Sequence, residues 1–137
     1  MHLPRIVVLD DPLTAEEHLN LGVSYELRKE YVYAIEQYRL AAEGELKARA
    51  ELYTGNAYFG MGDMDAAESH YRLALKADPG FAEAYNSLAW LYASEKRNLH
   101  EAEKLALKAI DLSGNLSDDM VENFRDTLGT IRVLLQK

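Results

Sequence analysis

The sequence contains no cysteine, which excludes disulfides, thiolate metal sites and a cysteine nucleophile. Basic residues are scarce beside acidic ones, 15 Lys and Arg against 23 Asp and Glu, giving a formal charge of -8. A chain of that sign repels phosphate backbones and anionic membrane surfaces, so no nucleic-acid partner is expected. No apolar run approaches the roughly 18 residues that cross a bilayer, and no transmembrane segment is expected. The run Ile6-Val7-Val8-Leu9 is too short for the apolar core of a signal peptide. Met1-His2 reads as an added start, compatible with a leader removed upstream. What is present is ordinary for one globular unit: 137 residues, 48% apolar and 28% charged, enough for a continuous core. Against three Pro, nine Tyr and eight Gly stand out.

Catalytic patterns fail on spacing. Gly55, Gly60 and Gly62 imitate the glycines of a phosphate loop, but no Lys and Ser/Thr follow to hold the terminal phosphates and magnesium. His100-Glu101 begins a zinc-protease string in which Lys104 occupies the place of the second His. His2, His18, His70 and His100 form no local ligand pair. No metal, no cofactor and no enzymatic activity are expected. Asn115-Leu116-Ser117 matches a glycosylation sequon, yet Ser117 is better explained as a helix cap.

A period near 34 residues organises the chain. Leu21-Gly22-Val23-Ser24-Tyr25, Thr54-Gly55-Asn56-Ala57-Tyr58 and Leu88-Ala89-Trp90-Leu91-Tyr92 align, followed by Ala34 with Tyr38, Ala67 with Tyr71, and Ala102 with Ala106. The third copy carries one extra residue, within Ser94–Asn98. Capping and turn residues predict seven helices, over 15–28, 31–43, 47–60, 64–77, 81–95, 99–112 and 117–136. Gly22 and Gly55 sit inside helices, where Gly costs about 1 kcal/mol against Ala, so a crowded contact is expected there. Ala34, Ala67 and Ala102 are expected opposite them, with Tyr25, Tyr58 and Tyr92 filling the space beside. In the last helix Met120, Val121, Phe124, Leu128, Ile131 and Leu135 form an apolar stripe. Val133 and Leu134 lie outside it.

These residues resemble the tetratricopeptide repeat, most specifically in the second copy, where Gly55-Asn56-Ala57-Tyr58, Gly62-Asp63, Ala67, Tyr71, Ala74-Leu75 and Asp78-Pro79 fall in place. The third copy departs, with Ala106 for the aromatic and Ser113-Gly114 for Asp-Pro. The resemblance implies an all-α fold, an α-solenoid of three helix-turn-helix repeats over about 14–46, 47–80 and 81–114 plus a capping helix at 117–136, behind an extended arm at 1–13. Stacked repeats need such a cap. The resemblance also places the first helix of each pair on a concave wall. Candidate groove residues there are Leu19, Val23, Glu26, Arg49, Leu52, Asn56, Phe59, Asn86 and Trp90, in ladders Leu19–Leu52–Asn86, Val23–Asn56–Trp90, Glu26–Phe59–Ala93 and Glu16–Arg49–Glu83. The two Asn suit peptide groups and the two aromatics suit apolar anchors.

The function this implies is a non-catalytic module binding a peptide or helix of a partner protein. Chaperone-binding relatives grip a C-terminal carboxylate with Lys, Arg and Asn. The matching residues here are Leu19, Val23, Asn56, Glu83 and Ser87, of which only Asn56 agrees, so no useful affinity for a Glu-Glu-Val-Asp terminus is expected. The arm resembles the start of bacterial exported lipoproteins of the family, which implies a role in envelope assembly and a periplasmic or membrane-anchored location over a cytoplasmic one. The alternative reading is a self-associating scaffold, a homo-oligomer built through residues 3–9 or the Val133-Leu134 end.

Overall fold

A computed structural model describes residues 10–137, so most of the arm expected at 1–13, including the apolar run 3–9, lies outside the described residues. The chain forms seven helices: α1 (Ala15–Leu27), α2 (Tyr31–Ala41), α3 (Lys47–Met61), α4 (Met64–Ala77), α5 (Ala82–Glu95), α6 (Leu99–Asp111) and α7 (Asp118–Leu135). The architecture is the expected all-α helical repeat. A 3-10 turn at Gly44–Leu46 leads into α3 where a plain turn was expected.

Local chemistry sets the boundaries. Thr14 accepts from the Glu17 amide while the Glu17 carboxylate accepts from the Thr14 amide at 2.7 Å, a reciprocal cap that starts α1. Asp63 and Ser117 cap α4 and α7 by accepting from the Ala66 and Met120 amides, without a reciprocal bond. Each turn inside a repeat uses one left-handed residue at the same phase: Lys29, Gly62 and Lys96, with φ of 60°, 81° and 52°. Only the second is glycine. The extra residue of the third copy is absorbed at this turn, where Asn98 is a second left-handed residue.

Small residues let the helices of a pair approach, but their partner is not the one expected. A Cβ on Gly22 would lie 2.4 Å from the Tyr38 ring, and one on Gly55 would lie 2.5 Å from the Tyr71 ring. The flat face of the second-helix tyrosine covers each glycine. Ala67 contributes only its backbone carbonyl, 3.2 Å from that same Cβ position on Gly55. Ala34, Ala67 and Ala102 are fully buried in the core. Tyr92 is buried as expected, whereas Tyr25 and Tyr58 are half-buried and lie against Tyr33 and His70. At the third repeat Ala89 and Ala106, both fully buried in one core, replace the Gly–Tyr pair.

α1, α3, α5 and α7 approach one another in series and form the inner layer, while α2, α4 and α6 pack outside it. α7 buries Phe124, Thr127, Leu128 and Ile131 against the third pair. Although outside the expected stripe, Leu134 joins Leu135 at the margin of that core, and of Val133 and Leu134 only Val133 is exposed. On the outside Glu68 accepts hydrogen bonds from Tyr92, Arg72 and Arg97, tying α4 to α5 and the turn after it. His18, buried in α1, bonds Asp11 at 2.7 Å and Gln37 at 2.6 Å, fixing the end of the arm.

Candidate functional site

The inner layer carries three chambers in a row. The first, about 200 Å³, is lined by Val23, Glu26, Leu27, Tyr38, Tyr53 and Asn56. The second, about 300 Å³, lies between Leu52, Tyr53, Glu83 and Asn86 on one side and Asp119, Met120 and Asn123 of α7 on the other. The third and largest, about 450 Å³, is walled by Asn56, Phe59, Tyr71, Asn86 and Trp90 and closed by Asp126, Thr127 and Thr130 of α7. Asn56 borders all three, so they form one groove.

The repeat ladders keep their rank but differ in depth. Leu19, Leu52 and Asn86 are the deepest rungs, with 3%, 2% and 9% of their surface exposed. Leu19 packs with Ala34, Tyr38 and Ala50 in the first core rather than at the groove wall. Val23, Asn56 and Trp90 form the open ladder, and Trp90 is 44% exposed. Glu26 and Phe59 are half-buried at the groove, while Ala93 is buried in core. Arg49 is exposed and borders none of the chambers, so its expected place on the wall is not observed. Its charge is felt by Glu83 and Tyr53.

The polar groups are specifically oriented. The Tyr71 hydroxyl donates to Asn56 Oδ1 at 2.8 Å, leaving the Asn56 amide N–H groups to face the groove. Asn86 Nδ2 donates to Asn123 Oδ1 at 3.1 Å, and Asn86 Oδ1 is buried with no partner. A buried unpaired acceptor costs about 1–3 kcal/mol. This one arises because an amide occupies the third rung of a ladder that is otherwise Leu19 and Leu52. Together the two side chains offer a donor and an acceptor.

The charge of the groove is of one sign. Glu26, Glu83, Asp119 and Asp126 border the chambers, and among the described residues no Lys or Arg does. Burial raises the pKa of Glu26, opposed by the hydrogen bond it accepts from Tyr38 at 2.7 Å. Burial also raises that of Glu83, opposed by Arg49. Tyr38 and Tyr71 are pushed upward by burial and remain hydroxyl donors. Among the described residues no three His, Asp or Glu side chains converge in the manner of metal ligands, and no helix is long and apolar enough to cross a membrane.

Sequence reasoning missed Tyr53, Leu27 and the whole α7 wall. The repeat phase could have pointed to Tyr53, one residue after Leu52. α7 has no second-helix partner to phase it, so its polar face carried no signal.

The comparisons agree with this architecture. Residues 52–116 match the family model described as tetratricopeptide repeat. No curated protein sequence matches the chain. Among solved structures, the chain is similar to the first TPR of Spaghetti (RPAP3) bound to the HSP90 peptide SRMEEVD, with 21% identity, 95% of this chain and 99% of that chain covered, and a TM-score of 0.75. It is also similar to the type III secretion chaperone SycD of Yersinia enterocolitica in complex with a peptide of the translocator YopD, at 18% identity, 86% and 92% coverage, and a TM-score of 0.73. The TPR2B domain of yeast Sti1 in a pHsp70 complex matches at 18% identity, 90% and 98% coverage, and a TM-score of 0.75. The tetratricopeptide repeat pattern is thus matched over 52–116, and the described chain has the TPR helical repeat fold.

Proposed function

We propose that the chain is a non-catalytic interaction module that takes a peptide or helix of another protein in the groove of the inner layer. The observation that carries this reading is the continuous groove itself. Exposed Trp90 and half-buried Phe59 stand in it beside the amide side chains of Asn56 and Asn86. Large aromatics in a pocket supply binding energy, and the amides suit a peptide backbone. Structural neighbours are seen with peptides of HSP90 and of a translocator, which supports the mode of binding and names no partner for this chain. The expectation of a bacterial exported lipoprotein in envelope assembly gains no support from these comparisons. The test is a pull-down from native lysate with the wild-type chain and with Trp90→Ala plus Asn56→Ala. Partners lost by the variant are the expected result, and identical partner sets contradict the groove assignment.

Self-association is the second reading. Leu27, Val32 and Tyr33 are 82%, 69% and 62% exposed at the outer end of the first repeat, and contiguous apolar surface favours contact between copies. Light scattering on the intact chain and on Val32→Ser plus Tyr33→Ser decides it. A monomer in both fits the adaptor, and a dimer lost in the variant fits the scaffold.

A further inference from the structure

Building on the peptide-groove reading, we propose that the groove selects cationic-apolar segments, with Lys or Arg side chains meeting Glu26 and Glu83 and a large apolar side chain seated against Phe59 and Trp90. Two observations converge on a ligand that donates hydrogen bonds and carries positive charge. The first is the set of four carboxylates, Glu26, Glu83, Asp119 and Asp126, distributed over all three chambers with no lining cation among the described residues. The second, independent of charge, is Asn86, which lines both the second and the third chamber and whose Oδ1 is a buried acceptor with no hydrogen-bond partner among the described residues.

Glu26 and Glu83 are not ordinary solvated carboxylates. Each is half-buried, and neither forms an ion pair with another described residue. Burial without a hydrogen-bonded cation, eased only in part at Glu83 by the charge of Arg49, is a cost that an incoming ammonium or guanidinium would offset, while an acidic ligand would add to it. The third chamber, lined by Phe59 and Trp90, is the largest and takes the apolar anchor. The spacing of chambers along the groove therefore places the cationic side chains toward α1 and the middle of the groove, and the apolar one toward the α5–α7 end.

The test is selection of a random peptide display library on the intact chain. Four forms are compared: wild type, Glu26→Gln plus Glu83→Gln, Trp90→Ala plus Phe59→Ala, and Glu30→Gln plus Glu43→Gln. The two Gln variants share a net charge of -6, two units above -8, and Glu30 and Glu43 are exposed away from the groove. The expected pool is rich in Lys and Arg with large apolar residues. A peptide from it should bind Glu26→Gln plus Glu83→Gln roughly tenfold more weakly, and Glu30→Gln plus Glu43→Gln about as well as wild type. A pool that depends on Trp90 and Phe59 but has no cationic excess overturns this inference and leaves the groove reading standing. So does a cationic pool that binds both Gln variants equally, because general attraction to an acidic protein then explains it. A pool indifferent to Trp90→Ala plus Phe59→Ala, or no enrichment at all, overturns the groove reading and the selectivity with it.

Discussion

The second and third repeats solve the same packing problem with different pairs. In the second, Gly55 lies beneath the ring of Tyr71, whose hydroxyl crosses to the groove and holds Asn56. In the third, Ala89 and Ala106 are buried in the corresponding places, and no hydroxyl reaches through. The pair is exchanged as a unit: a small first-helix residue under a large ring, or two medium residues together. The exchange also shapes the groove. The smallest chamber, about 200 Å³, is lined by Tyr38, and Tyr71 lines the largest, where its hydroxyl holds Asn56. Toward the third repeat the wall is Trp90 and α7, and the chamber widens to about 450 Å³.

The largest expected effect comes from breaking the pair. Tyr71→Ala should cost about 3–5 kcal/mol, the range for removing a buried aromatic. Gly55→Ala alone should cost about 1–3 kcal/mol, because overpacking against the ring outweighs the gain in helix propensity. The double variant, which copies the third repeat, should be more stable than the sum of the two predicts, as read by urea unfolding. Strict additivity would mean the two residues are not coupled.

The two ends of the solenoid sharpen the comparison further. α7 closes one end with apolar side chains, whereas the first pair is fastened to residues 10–13 by the polar link of His18 with Asp11 and Gln37. Both partners offer oxygen acceptors, which favours the doubly protonated ring, and the His18 pKa is raised, first by Gln37 and then by the bond to Asp11. A histidine raised in the folded state stabilises fully below its ordinary value of 6.5, and that contribution fades as pH rises through the folded value. Unfolding measured between about pH 6 and pH 8 should therefore show a loss of stability on the basic side that His18→Gln lacks. Equal pH dependence in the two proteins would contradict the link.

A smaller effect separates the cap from the repeats. Gly129 follows Leu128 much as Gly22 follows Leu21, yet a Cβ there meets nothing within 4 Å. Gly129→Ala should stabilise by about 0.5–1 kcal/mol, opposite in sign to Gly55→Ala. A destabilised Gly129→Ala would show that α7 is packed like a true first helix.

The helices were legible because capping residues and a 34-residue period mark their ends independently. The identity of the residue over Gly22 and Gly55 was not legible. Repeat alignment suggests small against small, whereas the helices place the face of Tyr38 or Tyr71 there. Likewise the ladders ran in the right phase, but phase says nothing of depth. Leu19 and Asn86 share a rung position that is buried along its whole length, and only the fold reveals that an amide in it is left with an unpaired oxygen. Glu83 and Ser87 in place of the clamp cations, with four carboxylates along the groove, keep the expectation that a Glu-Glu-Val-Asp terminus does not bind. Calorimetry with that peptide should show no heat of binding, and a micromolar affinity would contradict the charge assignment.

The central claim is that the inner face, not the outer helices or the apolar end, receives the partner. Amide chemical-shift mapping on adding a display-selected peptide tests it most directly. The predicted result is perturbation centred on Val23, Asn56, Phe59, Asn86 and Trp90 and extending into α7 at Asn123. Perturbation confined to α2, α4 and α6, with Val32 and Tyr33 at its centre, would contradict it.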